Sequence, residues 1–298
     1  MTLTPPPSRA PRRRRWTRQL AVSVAILMAI PVALGGVIGL FELNPIASEA
    51  FTPVGYDAHL LLGSAPDNSL VVEIAYQSSI GPPPSSAIST LLTRIGDTCS
   101  KGSITVDEHS FDASRASLSD SDLWSLELSV RQHWPFWGTM ALFYLYVDSS
   151  YGPDSSVIGL AYHGSSIAVF AGSIAADSAV LGNVAAVTTT VMVHEFGHEL
   201  GLVGIVGTAP NEDPNHPFHA SDPNDVMYWQ VDSTQIGLLG ANPPTQFGAG
   251  DLNDLSTVRS TPVWTEIFAW SVLAVTLGLA TFLVIRQGRM GSRTPPPK

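Results

Sequence analysis

The sequence has 298 residues, of which 45% are hydrophobic and 13% are charged, and its formal net charge is −10. This length allows one sizeable domain with short appendages. Soluble domains carry about 25% charged residues, so the low fraction predicts that part of the chain lies in lipid. A single cysteine, Cys99, excludes an internal disulfide and a thiolate metal cluster.

Two long apolar segments account for the low charged fraction. The first, residues 20–41, has no charged residue, and the second, residues 263–285, has only Glu266. At about 1.5 Å per residue, a helix of either length crosses a hydrocarbon core of about 30 Å. We therefore predict two transmembrane helices in contact with the lipid bilayer. For the first segment, a cleavable signal peptide is the alternative.

The tails that flank these segments predict the orientation of the chain. Residues 1–19 and 286–298 carry ten of the 15 basic residues, and such residues stay on the cytoplasmic side of membrane helices. Both termini are therefore expected in the cytoplasm of a multi-pass protein of the cell membrane, with residues 42–262 as an extracytoplasmic domain. That domain has 24 acidic and five basic residues, a net charge of about −19, which argues against nucleic acid as a partner.

Apolar runs and turn residues in the central domain predict strands and helices in mixed order. Strands are predicted at residues 69–79, 101–110, 140–150 and 158–172, and helices at residues 86–97 and 117–134. A further helix is predicted to begin at Thr188 to Thr190, which can cap it, and to end at Gly201. We predict an α+β domain, with a mixed twisted sheet before this last helix and an irregular segment after it.

The segment TTTVMVHEFGHELGLVG (188–204) carries the residues suited to chemistry. It contains the pattern H-E-x-x-H at His194, Glu195 and His198. On a helix, this four-residue spacing places both imidazoles on one face, where they can bind one tetrahedral zinc ion. Glu195 can then take a proton from the water on the metal and pass it to a leaving amine. The motif therefore predicts a zinc-dependent hydrolase of peptide bonds.

Residues 188–229 resemble the metzincin clan of zinc metallopeptidases. The clan pattern H-E-x-x-H-x-x-G-x-x-H is matched as far as Gly201, but Gly204 stands where the third histidine is expected. The archaemetzincin subfamily has a histidine eight residues before the methionine of its Met-turn, and His219 stands eight residues before Met227. The resemblance implies a metzincin-like catalytic domain with a loop of 17 residues before that histidine.

This resemblance also implies the metal ligands. His219 is the predicted third ligand beside His194 and His198. Ala220 and Asp225 stand where archaemetzincins have two cysteines, so one zinc ion is expected and a second, cysteine-bound ion is not. Three other residues of the segment remain alternatives for the third ligand: His216, Asp213 and Asp222.

The predicted function is a membrane-anchored zinc-dependent endopeptidase with Glu195 as general base and a protein or peptide as substrate. By the resemblance, that substrate lies along an edge strand, for which residues 161–170 are the prediction. One alternative is an intramembrane metalloprotease, because the chain around the motif is strongly apolar, although residues 242–255 only faintly resemble the L-D-G motif of those enzymes. The other is a non-catalytic zinc-binding ectodomain, against which Glu195 argues.

Overall fold

The computed structural model describes residues 44–176, 183–206 and 209–260, and the single residue 275. By its internal contacts the chain divides into two units. One is Pro45–Pro262, and the other consists of the terminal segments Met1–Asn44 and Val263–Lys298. Every helix and strand named below lies in the unit Pro45–Pro262.

A five-stranded sheet lies at the centre of this unit. Its strands are β1 (Ser69–Gln77), β2 (Ser103–Phe111), β4 (Thr139–Val147), β6 (Gly159–His163) and β7 (Ser166–Phe170). Two short strands, β3 (Ser117–Leu118) and β5 (Ser150–Tyr151), pair with each other in a separate ladder. The order in the main sheet is β2-β1-β4-β7-β6. The first four of these strands are parallel, and β6 is antiparallel to β7, so β6 is an edge strand.

Helices cover both faces of this sheet. The described helices are α1 (Pro45–Phe51), α2 (Ala58–Leu62), α3 (Ser85–Thr98), α4 (Asp120–Val130), α5 (Ala171–Ala176), α6 (Val184–Glu199) and α7 (Ala249–Ser260). A hairpin of β8 (Glu212–Asp213) and β9 (His216–Ala220) and a 3-10 turn at Thr234–Leu239 lie between α6 and α7. Strand β4 is almost wholly buried, because it runs through the middle of the sheet between two layers of side chains.

The two faces of β4 supply two cores. Tyr144 packs on the face that carries α3 and α6, and its hydroxyl donates to the carbonyl of Met192 in α6 at 2.9 Å. Phe143 and Leu145 pack on the opposite face with Leu123 of α4. This hydrogen bond and the surrounding apolar contacts fix α6 against the sheet.

Most of the predicted elements have counterparts. The predicted strands at 69–79, 101–110 and 140–150 and the helix at 86–97 correspond to β1, β2, β4 and α3. The predicted helix at 117–134 is too long, because its first residues form β3 and α4 ends at Val130. The predicted strand at 158–172 is two strands, since Gly164 and Ser165 turn the chain between β6 and β7. Only the β6 part is therefore an edge.

The predicted α+β class is wrong. Strand β1 is joined to β2 through α3, and β2 is joined to β4 through α4, so these strands run parallel rather than forming hairpins. Crossover connections of this kind make a mixed α/β sheet fold.

The prediction of two flanking transmembrane helices is contradicted as well. No helix in the described residues is long and apolar enough to cross a bilayer. The longest of them, α6, has 16 residues; at about 1.5 Å per residue it falls short of a hydrocarbon core of about 30 Å. The same finding contradicts the predicted multi-pass localisation with both termini in the cytoplasm. Residues 20–41 and 263–285, apart from residue 275, lie outside the described residues.

Candidate metal centre

Helix α6 carries the H-E-x-x-H residues in its last two turns. It begins four residues before the predicted cap at Thr188, because the side chain of Asn183 accepts the N–H of Ala186 at 3.2 Å. From Val187 to the end of the helix every residue is buried. Gly201 follows with φ of 71°, a left-handed conformation that lets the chain leave the helix there.

His194 and His198 face each other on this helix, with their Nε2 atoms 3.0 Å apart. His194 Nδ1 donates to the carbonyl of Val226 at 2.6 Å, which leaves Nε2 as the unprotonated nitrogen. Burial lowers the pKa of His194 to about 4, and burial also lowers the pKa of His198 well below its ordinary value. Both rings are therefore neutral at pH 7, the form that binds a metal.

The hairpin of β8 and β9 brings His219 to this pair. Its ring centroid lies 5.3 Å from that of His194 and 5.1 Å from that of His198. Its Nδ1 donates to the carbonyl of Pro217 at 3.0 Å, and its buried Nε2 has no hydrogen-bond partner. The ligand nitrogens of the three histidines all lie within 4.8 Å of one another. This cluster of His194, His198 and His219, the histidine cluster, could hold a metal ion.

Backbone strain occurs directly beside this third histidine. Phe218 has φ of 67°, a left-handed conformation that is uncommon for a residue with a bulky side chain. Its N–H donates to the Glu212 carboxylate at 2.9 Å, which helps to hold that conformation. This strained residue directly precedes His219, at the point where the chain turns toward helix α6.

The other predicted alternatives for the third ligand have different partners. His216 stacks on Trp229 with ring centroids 4.0 Å apart, and its Nδ1 lies 3.0 Å from the carboxylate of Asp213. Asp222 is exposed and accepts a backbone N–H from two residues further along the chain. Of the four alternatives, the structure brings only His219 to the helix pair.

The Glu195 carboxylate is buried beside the histidine cluster. Its Oε2 accepts the N–H of Ala161 in edge strand β6 at 2.8 Å, whereas its Oε1 has no hydrogen-bond partner. A Cβ atom at Gly159 would lie 2.4 Å from Oε1, so only glycine leaves room for this carboxylate. Burial raises the pKa of Glu195 well above its ordinary value, and the charge of Asp232 adds to that rise.

Met227 lies against the opposite side of α6. It is fully buried, and a Cβ atom at Gly197 would lie 2.2 Å from its sulfur. Its carbonyl accepts the N–H of Ala220, the residue after His219, at 2.7 Å. Its N–H donates to Asp225 at 3.0 Å. The turn at Met227 therefore connects the third histidine to the helix.

The sequence did not predict the contacts of three acidic residues: Asp225, Asp251 and Asp232. Asp225 faces Asp251 of α7, and burial, followed by the hydrogen bond to Asp225, raises the pKa of Asp251 to about 9. Asp251 also accepts from Asn211 at 2.9 Å, so it is not in the histidine cluster as the L-D-G alternative would require. Asp232 lies at the rim of the cluster. No motif marks Asp232 in the sequence.

No protein-family model and no curated protein matches this chain. Among solved structures, archaemetzincin from Methanopyrus kandleri is 15% identical and covers 66% of this chain and 98% of its own, with a TM-score of 0.45. Metalloproteinase-II from Bacteroides fragilis is 16% identical and covers 73% of this chain and 60% of its own, with a TM-score of 0.38. Likenesses of this degree carry no functional argument.

Proposed function

We propose that this protein is a zinc-dependent endopeptidase. In this proposal His194, His198 and His219 bind one zinc ion, and Glu195 is the general base. The observation that carries it is the convergence of three imidazole nitrogens within 4.8 Å, with Glu195 next to His194 in the helix and its buried Oε1 without a hydrogen-bond partner among the described residues.

The donor set fits zinc. Imidazole nitrogen is a preferred zinc ligand, and three protein ligands with a fourth position free are typical of catalytic rather than structural zinc sites. The two Nε2 lone pairs of His194 and His198, 3.0 Å apart, repel each other unless a proton or a cation lies between them. When bound, zinc would polarise a peptide carbonyl and lower the pKa of a water molecule.

The hydrogen bond from edge strand β6 supports the proposed role of Glu195 as general base. Ala161 holds one carboxylate oxygen, which orients the carboxylate, and the buried second oxygen has no hydrogen-bond partner among the described residues. In this proposal that second oxygen accepts a proton from water. The same carboxyl can then deliver the proton to the leaving amine.

The edge strand supports a peptide as substrate. Among the described strands β6 pairs only with β7 in the main sheet, so no strand covers its other edge, on which the N–H of Ala161 is bonded to Glu195. In this proposal an extended peptide lies along this edge. A peptide bound along β6 would therefore run past the general base, which favours cleavage within a chain.

The alternatives that the sequence left open are less well supported. An intramembrane metalloprotease would need a ligand from residues 242–255, but Asp251 there bonds to Asn211. A non-catalytic zinc-binding domain has no use for a buried carboxyl beside the ligands, since burial of an unpaired charge or acid is costly.

The test is to measure zinc content and cleavage of a mixed peptide library for the purified full-length protein and for Glu195→Gln. We expect one zinc ion per chain in both, with turnover lower by about 10²-fold to 10⁴-fold in the variant. Glu108→Gln is the matched control, because Glu108 is an exposed residue of β2. Wild-type protein that binds zinc and cleaves no peptide would support the binding-only alternative, and protein that binds no zinc would contradict the proposal.

A further inference from the structure

A partly exposed carboxylate lies at the rim of the histidine cluster. Oδ2 of Asp232 is 3.4 Å from Nε2 of His219, and 30% of the Asp232 side chain is exposed. Asp232 is therefore close to the place where a scissile bond would lie.

The backbone of Asp232 is fixed beside the edge strand. Its carbonyl accepts the N–H of Ile158 at 2.9 Å, and the N–H of Thr234 donates to Ser156 at 2.9 Å. These bonds pair the residues around Asp232 with the chain that leads directly into β6. A peptide that adds to β6 thus meets Asp232 in a position that is set before binding.

No arginine or lysine of the described residues neutralises this carboxylate. The central region 42–262 contains five basic residues, and each has partners elsewhere. Those partners are Asp97 for Arg94, the carbonyls of Leu60 and Asp67 for Lys101, Asp122 for Arg115, Glu127 for Arg131 and the carbonyl of Thr98 for Arg259. A substrate can therefore supply the basic side chain that these residues do not place beside Asp232.

We propose that Asp232 selects substrates with a lysine or arginine next to the scissile bond, so that the peptidase acts on cationic peptides. This inference rests on the proposed function and names the substrate class for the same site. A hydrogen bond between a cationic donor and a partly buried carboxylate gives a preference of about 10-fold to 100-fold over a neutral side chain of similar length. The net charge of residues 42–262, about −19, also attracts cationic peptides, an effect that salt weakens.

The test begins with the wild-type full-length protein and a peptide library whose cleavage sites are read by mass spectrometry. The preferred cleavage sites are expected to contain lysine or arginine on one side of the broken bond. Cleavage sites without any preference for basic residues would overturn the inference and leave the proposed function standing. A protein that cleaves no peptide in the library would contradict the proposed function itself, and this inference would fail with it.

A matched peptide pair then tests the residue. The two peptides differ only in lysine or norleucine at the preferred position, and the ratio of their kcat/KM values is measured for wild type, Asp232→Asn and Asp222→Asn. We expect a ratio of about 10 to 100 in wild type and in Asp222→Asn, an exposed acid of the same segment, and a ratio near one in Asp232→Asn. Each protein is assayed for zinc.

Two results with this pair would overturn the inference. One is an unchanged ratio in Asp232→Asn. The other is loss of zinc from that variant, which would identify Asp232 as a metal ligand. As a second variant, Asp232→Lys is expected to reverse the preference, so that a peptide with glutamate is cleaved faster than one with glutamine. The absence of this reversal in a zinc-loaded Asp232→Lys protein would also count against the inference.

Discussion

The two halves of the metal centre are built in different ways. His194, Glu195 and His198 come from two turns of one buried helix, whose hydrogen bonds fix their spacing. His219 lies in a short hairpin, 18 residues after Gly201, and its position depends on contacts with the turn at Met227 and on a strained neighbour, Phe218. The helix half is therefore encoded locally, whereas the hairpin half is encoded by tertiary contacts.

This difference indicates which substitutions should change the rate of cleavage and which should change the free energy of unfolding. Changes near the helix half alter the position of the general base directly. Changes in the hairpin half alter the contacts that bring it to the helix. The strongest tests are substitutions that touch one half and leave the other unchanged.

Among substitutions outside the proposed ligands and general base, the largest effect is expected from Gly159→Ala, which acts on the helix half. The new methyl group would lie 2.4 Å from Oε1 of Glu195 and 2.5 Å from a methyl group of Val191. Displacement of the carboxylate should lower kcat/KM by about 10²-fold, since moving a catalytic group by about 1 Å reduces the rate by that factor. Zinc content should be unchanged, as measured by metal analysis beside the peptide assay. The control is Gly96→Ala, where no atom lies within 4 Å, and equal activity of the two variants would contradict this account.

Gly197→Ala breaks the contact between the two halves. Its methyl group would meet the sulfur of Met227 at 2.2 Å on the buried side of α6. Overpacking of this kind lowers the free energy of unfolding by about 1 to 3 kcal/mol. Urea denaturation of this variant and of Gly96→Ala measures the difference. A variant as stable as wild type would show that Met227 is free to move away from the helix.

The acid pair in the hairpin half predicts a pH dependence of stability. The pKa of Asp251 is about 9 in the folded protein, against an ordinary value of 3.8. The folded protein therefore holds a proton that the unfolded chain has released, and the free energy of unfolding falls as pH rises between those values. The slope from one proton is at most about 1.4 kcal/mol per pH unit.

Asp251→Asn removes this proton and should flatten the slope. Denaturation at about pH 6 and about pH 8 measures it, and Glu108→Gln, a change at an exposed acid, should keep the wild-type slope. The raised pKa values of Glu195 and Glu199 act in the same direction in all three proteins. If the free energy of unfolding changed with pH equally in Asp251→Asn and wild type, Asp251 would not hold a proton in the folded protein.

The smallest effect is expected from His216→Ala. This change removes a stacked ring pair with Trp229 and the contact with Asp213 on the outer side of the hairpin. A stacked pair contributes about 0.5 to 1.5 kcal/mol to stability. Thermal denaturation should report a loss of that size, and a greater loss would mean that the hairpin unfolds with the stack.

Most strands could be predicted from local sequence, because a long apolar run such as β4 must be buried in the folded protein. The end of α4 was not readable, since Arg131 leaves the helix with ψ of 129° to direct its guanidinium at buried Glu127. The start of α6 was missed for a related reason. From Val187 onward the helix is buried on all sides, so its sequence has no amphipathic pattern from which the start could be read.

The site divides in the same way. The spacing of His194, Glu195 and His198 is a helical spacing, so these residues could be predicted from the sequence alone. The prediction of His219 came from its distance to Met227 in a resembling family. Asp232 and the Asp225 and Asp251 pair could not be predicted, because they meet their neighbours through contacts between segments far apart in sequence.

The most direct test of the account is the zinc affinity of His219→Ala, with His216→Ala as the matched control, measured by competition with a chelator of known affinity. Both histidines lie in the same strand, β9, but only His219 contributes a nitrogen to the histidine cluster. We expect His219→Ala to bind zinc at least about 100-fold more weakly than wild type and His216→Ala to bind it within about threefold. Loss of zinc from His216→Ala, with full affinity in His219→Ala, would contradict the proposed metal centre.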